Sequence, residues 1–451
     1  MNTHSPHTHP DNSNKLLIKG LITGLLILIM LIPTLFVNNL IKEREELQKQ
    51  VVQEVSSKWA SAQTIAGPYF TIPYTSIESD ANGKQLQIIK NLMFLPENLS
   101  ANGNIIPEET HRSIYHVLLY KTDVQLKGTF NLQIPDDVSK ENIDFSKAKI
   151  CLGITDFKGI EEKITIKLNG ANITLTPGLP NRELSEYGLS APVNLTADDF
   201  LKPISFETSV KVKGSEQLHF LPLAANSQFT LQSKWKNPSF DGNTIPNTRS
   251  VDDKGFTATW KFNEANLPFT TVIREGVSKT AINSFGVSML QPADQYAKTM
   301  RSVKYAILFI GLTFALFFII ELMQQKPFHP VQYVLVGLAL IIFYTLLLSI
   351  SEVLAFDLAY LIAATATVSL ITLYAKGHFQ SWKVASLFAA VLAGLYAFIF
   401  VLIRLEDTAL LVGSIGLFIV LALVMYASRK VNWYGQSPAN TINTQLPNET
   451  I

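Results

Sequence analysis

The placement of the apolar residues constrains this chain more than any other feature. Leu16 to Val37 reads LLIKGLITGLLILIMLIPTLFV and carries no charge from Gly20 onward. A bilayer core takes roughly 20 apolar residues at about 1.5 Å each, so this segment is long enough to cross one. Phe36-Val37-Asn38-Asn39 then runs straight into the charged IKEREELQKQ, without the small-residue cleavage site of a signal peptide, so an uncleaved anchor is expected. Residues 38–300 are mostly polar, and after Arg301 come five further apolar segments, at about 303–321, 331–351, 354–375, 382–403 and 409–427.

The expected architecture is an α+β membrane protein. Its parts are a cytoplasmic tail over 1–15, a transmembrane helix over 16–37 and a large domain over 38–300. A block of five transmembrane helices over 301–427 and a second tail over 428–451 complete it. The first tail holds His4, His7 and His9 among Pro, Ser and Asn, a composition that favours disorder over a metal site. Lys and Arg in short loops set orientation. With the N-terminus inside, the inner side holds Lys15, Lys19, Lys326, Lys376, Lys383, Arg429 and Lys430, and the short outer loops hold only Arg404. The large domain is therefore expected outside the cytoplasm, with both termini inside.

Within that domain, Asn38 to Trp59 has helix-like spacing of Leu40, Leu47, Val51 and Val55, and reads as a stalk continuing the first span. Beyond Gly67-Pro68 the period changes to two. Val124, Leu126, Phe130, Leu132 and Ile134 alternate with polar residues, as do Ile164-Ile166-Leu168, Ile204-Phe206, Val210-Val212, Phe229-Leu231 and Phe256-Ala258-Trp260-Phe262. Asn169-Gly170 supplies a hairpin turn signal. Many short alternating strands predict an antiparallel, sandwich-like domain.

Charged residues are only 16% of the chain and the net charge is +1, which gives no reason to expect a nucleic-acid partner. The single cysteine, Cys151, forbids an intramolecular disulfide and starts a strand-like segment where a buried hydrophobe fits. HExxH, GxSxG, Walker, GxGxxG and CxxC motifs are absent, so no catalytic, cofactor or metal residues are assigned. His111 and His116, five apart, would share a face on neither a helix nor a strand. In WKNPSFDG, Asn237-Pro238 and Asp241-Gly242 read as turns flanking the core anchors Trp235 and Phe240. Trp235, Pro238 and Phe240 form the candidate recognition loop, although such corners more often serve structure.

The charges near the membrane say more. Lys298, Arg301 and Lys304 breach the positive-inside pattern on the outer side of the second span, and Asp294, Lys298, Arg301 and Tyr305 share a helical face. Arg301 and Lys304 are expected to pair with Glu352, Asp357, Glu406 or Asp407 in the outer loops, near Arg404, forming an interfacial charge clamp. Glu321 falls near the inner headgroups on this topology, so no acid is placed in mid-bilayer as an ion pathway would need.

Several stretches carry a family resemblance: GPYFTIPY at 67–74, ITDFKGI at 154–160, WKNPSFDG at 235–242, PADQYAKTMRSVKYAILFIGLTF at 292–314, HPVQYVLVGLAL at 329–340, FYTLLLSISE at 343–352, DTALLVGS at 407–414 and NWY at 432–434. In this order and layout the chain resembles the CreD family of bacterial inner-membrane proteins. The resemblance implies a Gram-negative inner-membrane protein of cell-envelope integrity with a periplasmic domain. It also implies association with a two-component envelope-stress regulon and, in some bacteria, with the β-lactam response. It brings no reaction, cofactor or catalytic residue. A non-enzymatic protein whose periplasmic domain binds or senses an envelope component or a membrane-protein partner is expected, with membrane lipids around its helices. The alternative is a transporter or lipid-handling channel formed by the C-terminal helices.

Overall fold

The computed structural model describes residues 12–79, 85–196, 199–200, 202–276, 282–289, 294–324, 328–405 and 408–428, so most of the two expected tails lies outside the described residues. The chain divides into two compact units, Met1–Glu46 with Ala293–Ile451, and Leu47–Pro292.

The first unit is helical. Helix α1 (Asn12–Met30) and helix α2 (Ile32–Trp59) are separated only by Leu31. Pro33 lacks the N–H that an unbroken helix would use there, which accounts for the local irregularity. After the second unit come α3 (Asp294–Lys304) and α4 (Ala306–Gln324), bent by 44° to one another at Tyr305. Then follow α5 (Pro330–Ser351), α6 (Phe356–Phe379), α7 (Trp382–Arg404) and α8 (Ala409–Ser428). Four described helices are long and apolar enough to cross a membrane: Leu17–Trp59 and helices α5, α6 and α7. Counting the bent pair α3–α4 as one span makes five, while the described apolar stretch of α8, Ala409–Ile419, is shorter. Met30, Val37 and Ile41 of the N-terminal helices share one apolar cluster with Phe309, Phe314, Tyr333 and Tyr344. Gly337 on α5 permits this close approach, since a Cβ there would lie 2.7 Å from Met30 Sδ.

The second unit holds two sheets. The nine-stranded sheet runs Pro238–Gly242, Phe285–Met289, Gln217–Leu221, Gln63–Ser79, Lys149–Ile154, Gly188–Pro192 and Thr176–Pro177, with Gln85–Phe94 branching from Gln63–Ser79 and Val272–Arg274 pairing with Gln85–Phe94. The eight-stranded sheet runs Thr248–Asp252, Gly255–Phe262, Asn226–Ser233, Asn98–Arg112, Tyr115–Phe130, Ile204–Ser215, Thr165–Leu168 and Ala171–Thr174. The alternating residues read from the sequence point inward: Val124, Leu126, Phe130, Phe206, Val210 and Val212 are all buried. One core cluster draws on both sheets, with the Phe70 and Phe130 rings 4.6 Å apart edge to face.

The Asn169-Gly170 turn joins its two strands as expected, with φ of 43° and 90° at its central residues. Not every pair is antiparallel. Gln63–Ser79 pairs with Gln217–Leu221 in parallel, and Asn98–Arg112 pairs with Asn226–Ser233 in parallel. These partners are far apart in sequence, so no turn sets their direction and the alternation of side chains is the same either way. WKNPSFDG also differs from its reading, because Pro238–Gly242 forms an edge strand, a place where a missing N–H is tolerated.

Trp260 is fully buried among Phe240 and Phe285, and its indole N–H donates to the Thr244 carbonyl at 3.1 Å. Trp260→Ala should cost about 3–5 kcal/mol, measurable as an earlier loss of β-sheet circular dichroism on denaturation. Cys151 is fully buried and burial pushes its thiol up to about 12, so a maleimide should label it only after unfolding.

Candidate functional site

The helical unit holds a carboxylate that apolar surroundings would normally exclude. Glu321, in the last turns of α4, is only 3% exposed. Its charge is met by the Lys19 ammonium from α1, by the main-chain N–H of Phe328 at 2.6 Å and by the Tyr333 hydroxyl at 2.9 Å. A buried charge persists only when it is paired and its lone pairs are filled, and both conditions hold here. The Lys19 side chain is 31% exposed, so the pair is accessible from the lysine side and covered on the carboxylate side.

A second pair lies further along the same N-terminal segment. Arg44 on α2 is 3.8 Å from Glu352, the residue that closes α5, and the Tyr296 hydroxyl donates to the same carboxylate at 3.4 Å. Lys19 and Arg44 stand about 25 residues apart, or about 37 Å along a helix, somewhat more than the ~30 Å hydrocarbon core. Two points of the N-terminal helices, 25 residues apart, are thus tied to acids of the C-terminal helices. The sequence placed Lys19 and Glu321 on one side of the membrane but could not show that they meet, because they are 302 residues apart.

Two of the candidate clamp acids meet a cation: Arg44, which the sequence reading did not include, lies beside Glu352, and Arg404, which it did, pairs with Asp357. Helix α3 still reaches the turn after α5, through Tyr296 and through Lys298, whose ammonium lies 5.8 Å from the Phe356 ring centre. Arg301 and Lys304 fall in the last turn of α3, Lys304 being exposed. Glu406, Asp407 and the Asp294 side chain lie outside the described residues.

In the β-rich unit, Trp235 and Phe240 pack against the core, and the Trp235 indole donates to the Asn237 carbonyl at 3.0 Å. The candidate recognition residues therefore include two core anchors and Pro238 at an edge strand. An open cleft of about 590 Å³ lies elsewhere, between Gln133–Asp136 and Pro268–Arg274. Arg274 on its wall pairs with Asp137, whose carboxyl the guanidinium holds below the usual carboxylate range. Sequence reading missed this cleft, because its two walls come from distant segments with no shared motif.

Folding also joins two sets of polar residues that looked scattered. The hairpin between Asn98–Arg112 and Tyr115–Phe130 sets His111 opposite His116, ring centres 4.2 Å apart, correcting the expectation that they share no face. A five-residue offset separates side chains within one strand but pairs them across a tight turn. Further along, His219 Nε2 lies 2.8 Å from Asp241 Oδ1 and its Nδ1 3.2 Å from Ser284 Oγ, while Ser288 donates to Asp241 Oδ2 at 2.5 Å. Gly286 stands opposite both His219 and Asp241 in the strand between them, and its missing side chain makes the approach possible. The order hydroxyl–imidazole–carboxylate resembles an activated nucleophile. His219 is only 7% exposed, however, and its bonds tie the two outermost strands to the third. Among the described residues no three His, Cys, Asp or Glu side chains converge as a metal site requires.

Comparison with known proteins bears on the whole chain. The family model described as inner membrane protein CreD matches residues 15–434. The inner membrane protein CreD of Escherichia coli (strain K12) is 31% identical over 418 residues, covering 91% of this chain and 92% of that protein. The chain belongs to the CreD family. It is a multi-pass inner-membrane protein, and the CreD match extends from just before Lys19 to well past Arg404, so it includes both ion pairs of the anchor.

In this CreD-family chain the two pairs should differ in strength. Glu321→Leu alone, leaving Lys19 without its carboxylate, should cost about 3 kcal/mol, while the double variant Lys19→Met/Glu321→Leu should recover most of that loss. Arg44→Ala, at a longer and more exposed pair, should cost about 1 kcal/mol or less. Thermal unfolding in detergent, compared across the four proteins, checks the order.

Proposed function

We propose that the chain is a non-enzymatic inner-membrane protein of cell-envelope integrity and the envelope-stress response. Its β-rich unit lies in the periplasm and binds or senses an envelope component or partner protein, held by the anchor and by five C-terminal spans. The reading rests most on the cleft of about 590 Å³ in the β-rich unit, walled by Gln133–Asp136 and Pro268–Arg274 with Arg274 presented on it. Clefts of that size suit ligand recognition, and Gln133, Asp136 and Arg274 give this one polar groups that could orient a ligand. The lysine and arginine distribution supports the periplasmic placement.

The transport alternative is less well supported. A conduction path needs acids that face a polar cavity, whereas the oxygens of Glu321 are taken by three donors. The cavity of about 500 Å³ in the helical unit is lined mainly by apolar side chains and touches neither Glu321 nor Glu352.

Two measurements test the proposal. In a Cys151→Ala background, Ile245→Cys, at an exposed position of the β-rich unit, should react with a membrane-impermeant maleimide in intact spheroplasts. A photo-crosslinking residue at Thr270 in the cleft should capture an envelope component that the same residue at Ile245 does not; equal capture at both would count against the cleft. The non-enzymatic reading adds a separate outcome. Ser284→Ala should retain wild-type rescue of envelope sensitivity in a deletion strain, whereas a nucleophile's loss would abolish it.

A further inference from the structure

Helices α6 and α7 do not close against each other along their whole length. Between them runs a groove of about 500 Å³, within the size range of ligand sites. Ala393 and Ala397 on α7 are exposed small residues on one wall, and Leu361 and Val368 on α6 form the other. Larger side chains at the two alanines would fill the space.

The groove has a length and a polarity. It follows α6 from Asp357 to Ser369, about 12 residues or about 18 Å, close to half of the ~30 Å hydrocarbon core. One end is at the start of α6, and the other is near the middle of both helices. An acyl chain from one leaflet spans that same depth.

The end at the start of α6 is charged. Asp357 pairs with Arg404, and both side chains remain solvent-accessible, at 46% and 57% exposure. The Arg404 guanidinium also lies 5.3 Å from the Phe400 ring centre, which orients it beside the groove. A positive and a negative group therefore stand side by side where a lipid headgroup would lie.

We propose that this groove is a binding site for one zwitterionic phospholipid of the phosphatidylethanolamine type. An acyl chain lies along α6 and α7, the phosphate rests on Arg404, and the ammonium rests on Asp357. An anionic headgroup without an amine would draw Arg404 onto its phosphate and offer the Asp357 carboxylate no replacement cation, whereas the ammonium of a zwitterionic headgroup supplies one, so the site discriminates by charge. The site requires only that α6 and α7 cross the bilayer, and it stands apart from the periplasmic binding reading.

The test uses the full chain purified from membranes and reconstituted with equal amounts of phosphatidylethanolamine and phosphatidylglycerol, then examined by native mass spectrometry. The wild type should retain one phosphatidylethanolamine in preference to phosphatidylglycerol, by about tenfold. Arg404→Gln and Asp357→Asn should each remove most of that preference. The double variant Ala393→Leu/Ala397→Leu fills the groove at exposed positions and should lose the retained lipid while keeping the wild-type melting temperature. Should that variant unfold early, a phosphatidylethanolamine with a photoreactive acyl chain supplies the second readout on the wild type, with adducts expected on peptides containing Leu361 or Val368. Equal retention of the two lipids, undiminished retention in a folded leucine variant, or adducts spread evenly over all the helices would overturn the proposal.

Discussion

A carboxylate buried in an apolar helical bundle has to bring its own neutralisation, and the pairing of Glu321 with Lys19 meets that requirement in this chain. Helices in lipid gain little from hydrophobic contact with each other, since acyl chains are as apolar as leucine. What locates the N-terminal anchor among the C-terminal helices is therefore polar pairing at its ends and close packing between. Lys19 to Glu321 and Arg44 to Glu352 supply the first, and Met30 against Gly337 supplies the second. Residues 47–292 fold as a separate unit, so these contacts join segments that lie far apart in sequence.

The β-rich unit depends on a different force. Its two sheets share an apolar core in which phenylalanines from both sheets meet, Phe70 with Phe130 edge to face and Phe220 with Phe229 tilted, so burial of aromatic area holds them together. Polar groups are used at its margin. There His219, Asp241, Ser284 and Ser288 join the last strands of the nine-stranded sheet across Gly286, where an unpaired edge would otherwise fray. The open cleft is lined by none of these four residues.

Local pattern made much of the fold legible. The apolar runs gave the helices, period-two alternation gave Val124, Leu126 and Phe130 their buried face, and Asn169-Gly170 gave its hairpin. The candidate clamp was legible only in part. The acids Glu352 and Asp357 stand at helix ends as read and Arg404 belongs to the clamp as read, but Arg44 beside Glu352 was not foreseen. The cleft was not legible at all, because its walls are joined only by folding.

The sequence by itself determined which segments are apolar enough to enter a membrane, which strands alternate, and that Cys151 stands alone. Those properties belong to neighbours within a few residues, where the helix and strand periods act. Only the tertiary structure decided that Lys19 meets Glu321, that two strand pairs run parallel, that His111 faces His116 and that Gly286 lets His219 reach Asp241. Each of these depends on the distance between atoms of sequence-distant segments. Charge and hydrogen bonding act over a few ångströms, and no one-dimensional spacing encodes that separation.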